Sequence, residues 1–221
     1  MRRRNATIGQ LISTLVYLAM SIWLASAAGV LIGAVLLWDL LFRSQIGFSM
    51  CFLEEMWSRN LGHLFVSPLR PHEFIISMMV VSCLRGFFGL LPSWILAFVF
   101  FEFSILSYGL GIVAFFSCLM VMGWALGMIV IALVLRFGLG AESLAWVAIF
   151  AFAPISAVYY PVETLPAWLQ IVAWCTPSAY VFEGMRSVLI DDIFRYDLLV
   201  GAILVNIVYL FAGIFIFSFS F

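Results

Sequence analysis

Residues 52–74 read FLEEMWSRNLGHLFVSPLRPHEF, the longest polar interruption in a chain otherwise built of membrane-length apolar runs. Leu53, Met56, Trp57, Leu61, Leu64 and Phe65 recur at helical spacing, while Glu54, Glu55, Ser58, Arg59, Gly62 and His63 fill the opposite face. Glu55 precedes Arg59 by one helical turn, the order that favours an ion pair. The pattern predicts a short amphipathic helix over Leu53–Phe65, stopped by Ser67-Pro68, with Pro71 in the first turn of the next helix. A polar helix wedged between two apolar spans offers a grip to a partner outside the membrane.

The composition fixes the class. Hydrophobic residues make up 66% of the chain and charged ones 10%, against about a quarter charged in soluble domains. This reads as an integral, all-α polytopic membrane protein. Net charge is −1, so no bulk attraction to nucleic acid is expected. All ten cations are arginine. Without lysine the chain cannot carry a GxxxxGK[ST] phosphate loop, so any ATP must be hydrolysed by another chain. Cys51, Cys83, Cys118 and Cys175 are scattered without a CxxC pair and read as small buried apolar residues. His63 and His72 lack ligand spacing, and no metal site is expected.

A helix needs about 20 apolar residues to cross the hydrocarbon core. Spans are expected over 74–101, 108–135, 143–159 and 198–221, joined by an outer loop at 102–107 and an inner one at 136–142. None of them alternates as a barrel strand would. The first apolar region, 8–42, accommodates either one long helix or a hairpin of two short spans turning near Ser26–Gly29. Segment 43–73 is then the cytoplasmic loop, because Arg43, Arg59, Arg70 and Arg136 should mark the inner side. Placing Arg2-Arg3-Arg4 inside as well requires the hairpin.

Between Pro154 and Arg186 the character changes. Pro154, Pro161, Pro166 and Pro177 fall here together with Tyr159, Tyr160, Trp168, Trp174 and Tyr180. Proline breaks helices, and these aromatics favour the membrane boundary. Segment 160–197 is therefore expected to dip into and out of the outer leaflet as two short helices, Leu165–Cys175 and Ser178–Leu189. Its irregular backbone must be buried in protein or wetted.

Two blocks, FLEEMWSRNLGHLFVSPLRPHEF and PISAVYYPVETLPAWLQIVAWCTPSAYVFEGMR, together with RFGLGAESLAW between them, resemble the membrane subunit of ABC exporters of the ABC-2 type. The resemblance covers roughly Ala28 to the end of the chain. It implies five to six spans, a cytoplasmic coupling helix and outer re-entrant helices. It also implies a complete first span ahead of Leu31–Phe42; about 30 residues precede that region, so the N-terminal span is expected to be incomplete. By the same resemblance the chain is a permease working as a homodimer in a bacterial inner membrane. Two separate ABC ATP-binding subunits would drive it, with ATP–Mg held on those subunits and no cofactor on this chain. Glu54, Glu55, Met56, Trp57, Arg59 and Leu61 are then the residues that contact the ATPase, Trp57 and Met56 as anchors and the charges as rim.

Two further features stand out. Arg85 sits well inside an apolar run, where an arginine costs roughly 2.5–3.5 kcal/mol on insertion scales. It calls for a partner (Asp39, Glu142 or Glu183) or for snorkelling toward the inner interface. In the outer segment, formed around Pro154, Tyr160, Pro161, Pro166, Trp168 and Pro177, Glu183 and Arg186 at i,i+3 are expected to pair with each other. HExxH, GxSxG and paired carboxylates beside a histidine are all missing from the sequence, which disfavours a lipid-modifying enzyme. A non-transporting scaffold or an ion-coupled carrier are the alternative readings; the apolar spans hold few carboxylates for an ion relay.

Overall fold

The computed structural model describes residues 2–66, 68, 70–101 and 110–220, with side chains from residue 29 onward apart from 64, 65, 71, 101, 110 and 139. Eight α-helices form among them: α1 (Arg2–Trp57), α2 (Leu61–Val66), α3 (Pro71–Phe101), α4 (Leu110–Phe137), α5 (Leu144–Phe152), α6 (Ala167–Trp174), α7 (Pro177–Asp191) and α8 (Tyr196–Ser220). Four stretches are long and apolar enough to cross a membrane: Gly29–Trp57, His72–Phe100, Gly111–Phe137 and Tyr196–Ser220. The outer loop expected at 102–107 lies outside the described residues.

α4 is the central post. Its apolar window is 67% buried, against 44% for α1, 28% for α3 and 17% for α8. Small residues let the neighbours come close. A Cβ on Gly123 would stand 2.9 Å from the backbone nitrogen of Gln45 in α1, and one on Gly213 of α8 would stand 2.9 Å from the carbonyl oxygen of Ala125. With little hydrophobic gain between helices in lipid, such packing and interhelical hydrogen bonds hold the bundle. Ser44 Oγ donates to the Met120 carbonyl at 2.8 Å, Ser82 Oγ to the Ser44 carbonyl at 3.0 Å, and Asn206 Nδ2 to the Cys118 carbonyl at 3.0 Å. These bonds tie α1 to α4, α3 to α1 and α8 to α4. Below them Phe48, Phe52, Met128, Ile131 and Phe217 form a buried layer; above them Leu37, Leu41, Phe115, Leu119 and Phe182 form another.

One alternative is selected and two expectations change. α1 is one helix of 56 residues, about 84 Å long at 1.5 Å per residue, and runs through Ser26–Gly29 without a hairpin. It also continues past residue 43 to Trp57, so 43–57 is helical and the connection expected over 43–73 shortens to the turn and α2 that follow Trp57. The reason is that nothing between Arg43 and Trp57 breaks a helix, and Phe48, Phe52 and Leu53 are fully buried against the bundle. The span expected over 143–159 shortens to α5, whose nine residues reach only about 13.5 Å. Beyond Phe152 the chain turns irregularly through Ala153–Tyr160, with Ser156, Ala157 and Val158 buried.

Candidate functional site

Two regions depart from regular spans, one at each end of the bundle. At the lower end, which carries Trp57 and Arg136, α1 stops at Trp57 and the chain turns at Ser58–Asn60. Arg59 adopts a left-handed conformation, φ 55°. The amphipathic helix expected over Leu53–Phe65 is therefore two pieces, the last turn of α1 and the short α2. The expected Glu55–Arg59 pair is replaced by a bond from Asn60 Nδ2 to Glu55 Oε2 at 2.7 Å. Once Arg59 leaves the helix, the one-turn spacing no longer brings its side chain over Glu55. Below α2, the Arg70 backbone N–H donates to Glu73 Oε2 at 2.9 Å, satisfying one of the free donors at the start of α3.

Arg85 pairs with Glu54, not with Asp39, Glu142 or Glu183. Nη1 lies 2.9 Å from Oε1 and Nη2 2.8 Å from Oε2. α1 and α3 run antiparallel, and side chains lean toward the N-terminus of their own helix. Arg85 thus reaches down and Glu54 up, which combines the two alternatives open for this arginine, a partner and a bend toward the nearer end. Glu142, in the turn between α4 and α5, instead accepts from the indole Nε1 of Trp57 at 3.1 Å. The last turn of α1 is thereby tied to α3 through Glu54 and to the α4–α5 turn through Trp57.

The other expected contact residues divide by burial. Met56 and Leu61 are half-buried against the core. Trp57 remains 47% exposed, and Arg59 is exposed. Asp39 of α1, absent from the expected set, binds Arg43 and faces Ser93 of α3. Its carboxylate was visible in sequence one turn before an arginine, the same signal that was read for Glu55.

At the upper end α6 and α7 cover the broken top of α5. α7 buries nine of its fifteen residues, Phe182, Gly184 and Met185 among them, mostly against α1, α4 and α8. Pro177 opens this helix and is buried; Pro154, Pro161, Pro166 and Trp168 stay exposed at the turns and on α6. Glu183 and Arg186 do pair, at 3.1 Å, yet each also does more. Arg186 Nη2 donates to the Ala157 carbonyl at 2.8 Å and Nη1 to that of Val158 at 3.4 Å. Glu183 Oε1 accepts the Val162 N–H at 2.6 Å. Ser178 Oγ donates to Ser156 Oγ at 2.9 Å, and the Tyr160 hydroxyl donates to the Pro154 carbonyl. Ala157 has φ 53°, an uncommon conformation for a residue with a Cβ. Irregular backbone at membrane depth survives only where its polar groups are satisfied, and here one buried arginine and one carboxylate satisfy three of them.

These features define a class: an all-helical, multi-pass membrane protein with four helices long enough to span and shorter helices, α6 and α7, of which α7 packs into the bundle. The family model of ABC-2 type transporters matches residues 1–190, and the chain belongs to that family. It is the membrane-spanning, permease component of an ABC transporter. Comparison with curated proteins gives no match.

Proposed function

We propose that this chain is the permease subunit of an exporter in a bacterial inner membrane. Two copies form the pathway, and two separate ATP-binding subunits, which hold the ATP–Mg, drive it. The carrying observation is the ABC-2 match over residues 1–190. The lower end of the bundle supports the placement of the ATPase. Closure of an ATPase against α2 and the exposed Trp57 would move α1, and with it α3 through Glu54–Arg85 and the α4–α5 turn through Glu142. A rigid helix terminus with two such attachments transmits a push better than a free loop. In this reading Phe52–Arg70 faces the cytoplasm and Pro161–Asp192 the outside.

The test is purification of the chain with and without a cognate ATP-binding subunit. The pure polypeptide is expected to turn over no ATP, and the complex to do so. Stoichiometric hydrolysis by the chain alone would sink the assignment. Cysteine labelling at Ser58 and Glu163 in intact cells checks the orientation, since only Glu163→Cys should react with an impermeant reagent.

A further inference from the structure

α1 carries an ion pair inside its apolar window. Arg43 Nε donates to Asp39 Oδ2 at 2.9 Å, and Ser93 Oγ of α3 donates to the same oxygen at 3.4 Å. Arg43 lies fourteen residues, about 21 Å of helix, above the end of α1 at Trp57. The side chains keep 37% (Arg43) and 24% (Asp39) of their exposure. Val35, one turn above Asp39, is exposed as well. The pair therefore lies in an open seam between α1 and α3 rather than in the core.

Acyl chains do not solvate such a pair. Ionisable groups at membrane depth face a bundle interior or water, and they mark pathways for charged cargo. Among the described residues Arg43 bonds its partner through Nε alone, while Asp39 Oδ2 is used twice. The two terminal nitrogens of Arg43 stay outside the pair, with Nη1 resting over Gly89, where a Cβ would come within 2.5 Å of it. A guanidinium that offers unused N–H donors suits the oxygens of a phosphate or carboxylate.

We propose that the α1–α3 seam at Asp39, Arg43 and Ser93 faces the water-filled translocation pathway, and that the terminal nitrogens of Arg43 receive an anionic oxygen group of the cargo. The inference rests on the reading of the chain as a permease. It adds which helix face lines the route and which sign of charge it favours.

The experiment labels single cysteines in membranes containing the full chain, with the four native cysteines replaced by alanine. Ser93→Cys reports on the seam, and Val208→Cys, exposed halfway along α8, reports on lipid. Thiosulfonate reagents require a thiolate, which forms in water and not among acyl chains. Ser93→Cys is expected to react at least about tenfold faster than Val208→Cys, and faster with an anionic reagent than with a cationic one. Adding Arg43→Gln should abolish the anionic preference, while Asp39→Asn, which frees Arg43 of its counter-charge, should increase it. A Ser93→Cys as inert as Val208→Cys overturns the pathway assignment. Reaction without a preference for the anionic reagent, or a preference that ignores both substitutions, overturns the role of Arg43. Neither readout needs transport or ATP, so failure here is separate from failure to bind an ATPase.

Discussion

Arg85 of α3 grips both carboxylate oxygens of Glu54 of α1, at 2.9 and 2.8 Å, from a position fourteen residues into its own helix. The bond joins the end of one span to the middle of the next. Fork geometry makes it more directional than a lysine contact would be. Its energy is limited by exposure, since the two side chains keep 46% and 47% of theirs.

From this exposure a coupling energy of about 1 kcal/mol or less is expected between Glu54→Gln and Arg85→Gln in a double-mutant cycle. Thermal unfolding of purified protein measures it. Arg85→Gln alone should be better tolerated than Glu54→Gln, because the latter leaves an unpaired cation deep in α3. Equal losses with no coupling would show that the pair carries no load between the helices.

On the proposed reading Trp57 both binds Glu142 and docks the ATPase, and the two roles separate by substitution. Trp57→Phe removes the donor to Glu142 and keeps most of the ring, so it should cost about 0.5–1.5 kcal/mol of stability and leave ATPase docking intact. Trp57→Ala removes the exposed face too. A buried aromatic anchor contributes 2 kcal/mol or more at an interface centre, so docking should weaken on the order of 30-fold. Measuring ATPase binding and protein abundance in the same membranes distinguishes these effects from a loss of membrane anchoring, which would lower abundance at unchanged affinity.

The lower end shows how far sequence carries. Hydropathy located the spans that became α3, α4 and α8, because each is a long apolar run bounded by charge or aromatics. The amphipathic pattern over Leu53–Phe65 was real, but it belongs to two helices. Period alone does not reveal that Ser58–Asn60 turns, although serine and asparagine together were a turn signal. The pairing of Arg43 with Asp39 one turn earlier followed the same spacing rule that was applied to Glu55 and Arg59, where the turn at Arg59 defeated it. α5 is uniformly apolar, and its hydropathy is the same for a half-span as for a whole one. Only Pro154 hinted at the break, and nothing local marks Ala157 for a positive φ. The Glu183–Arg186 pair was legible from its spacing. That Arg186 also binds the carbonyls of residues 157 and 158 was not, since they lie far off in sequence.

Packing around α4 gives a sharper contrast. Gly123→Ala drives a methyl to 2.6 Å from Ser44 Oγ and 2.9 Å from the Gln45 backbone. The hydroxyl can rotate; the backbone can yield only by moving α1. A loss of about 1–3 kcal/mol is expected. Gly86→Ala, with nothing within 4 Å, should be neutral or slightly stabilising. Comparing the two unfolding midpoints decides it, and equal behaviour would mean that α1 and α4 are not held in close contact in the membrane.

The clamp at the upper end permits the strongest prediction. Arg186 is buried and binds Glu183 and the carbonyls of Ala157 and Val158 together. Arg186→Met keeps an unbranched apolar stem but removes the guanidinium and strands all three acceptors, and breaking a buried pair in this way costs about 3–5 kcal/mol. Glu183→Gln in the same chain should recover part of the loss. The amide removes the uncompensated charge and can still accept the Val162 N–H through its oxygen. Unfolding midpoints of the single and double variants, with protease sensitivity of the 153–165 segment as a local readout, make the comparison. A double variant less stable than Arg186→Met would mean that the charge of Glu183 is balanced by something other than Arg186, and the account of the irregular segment as held by this pair would fail.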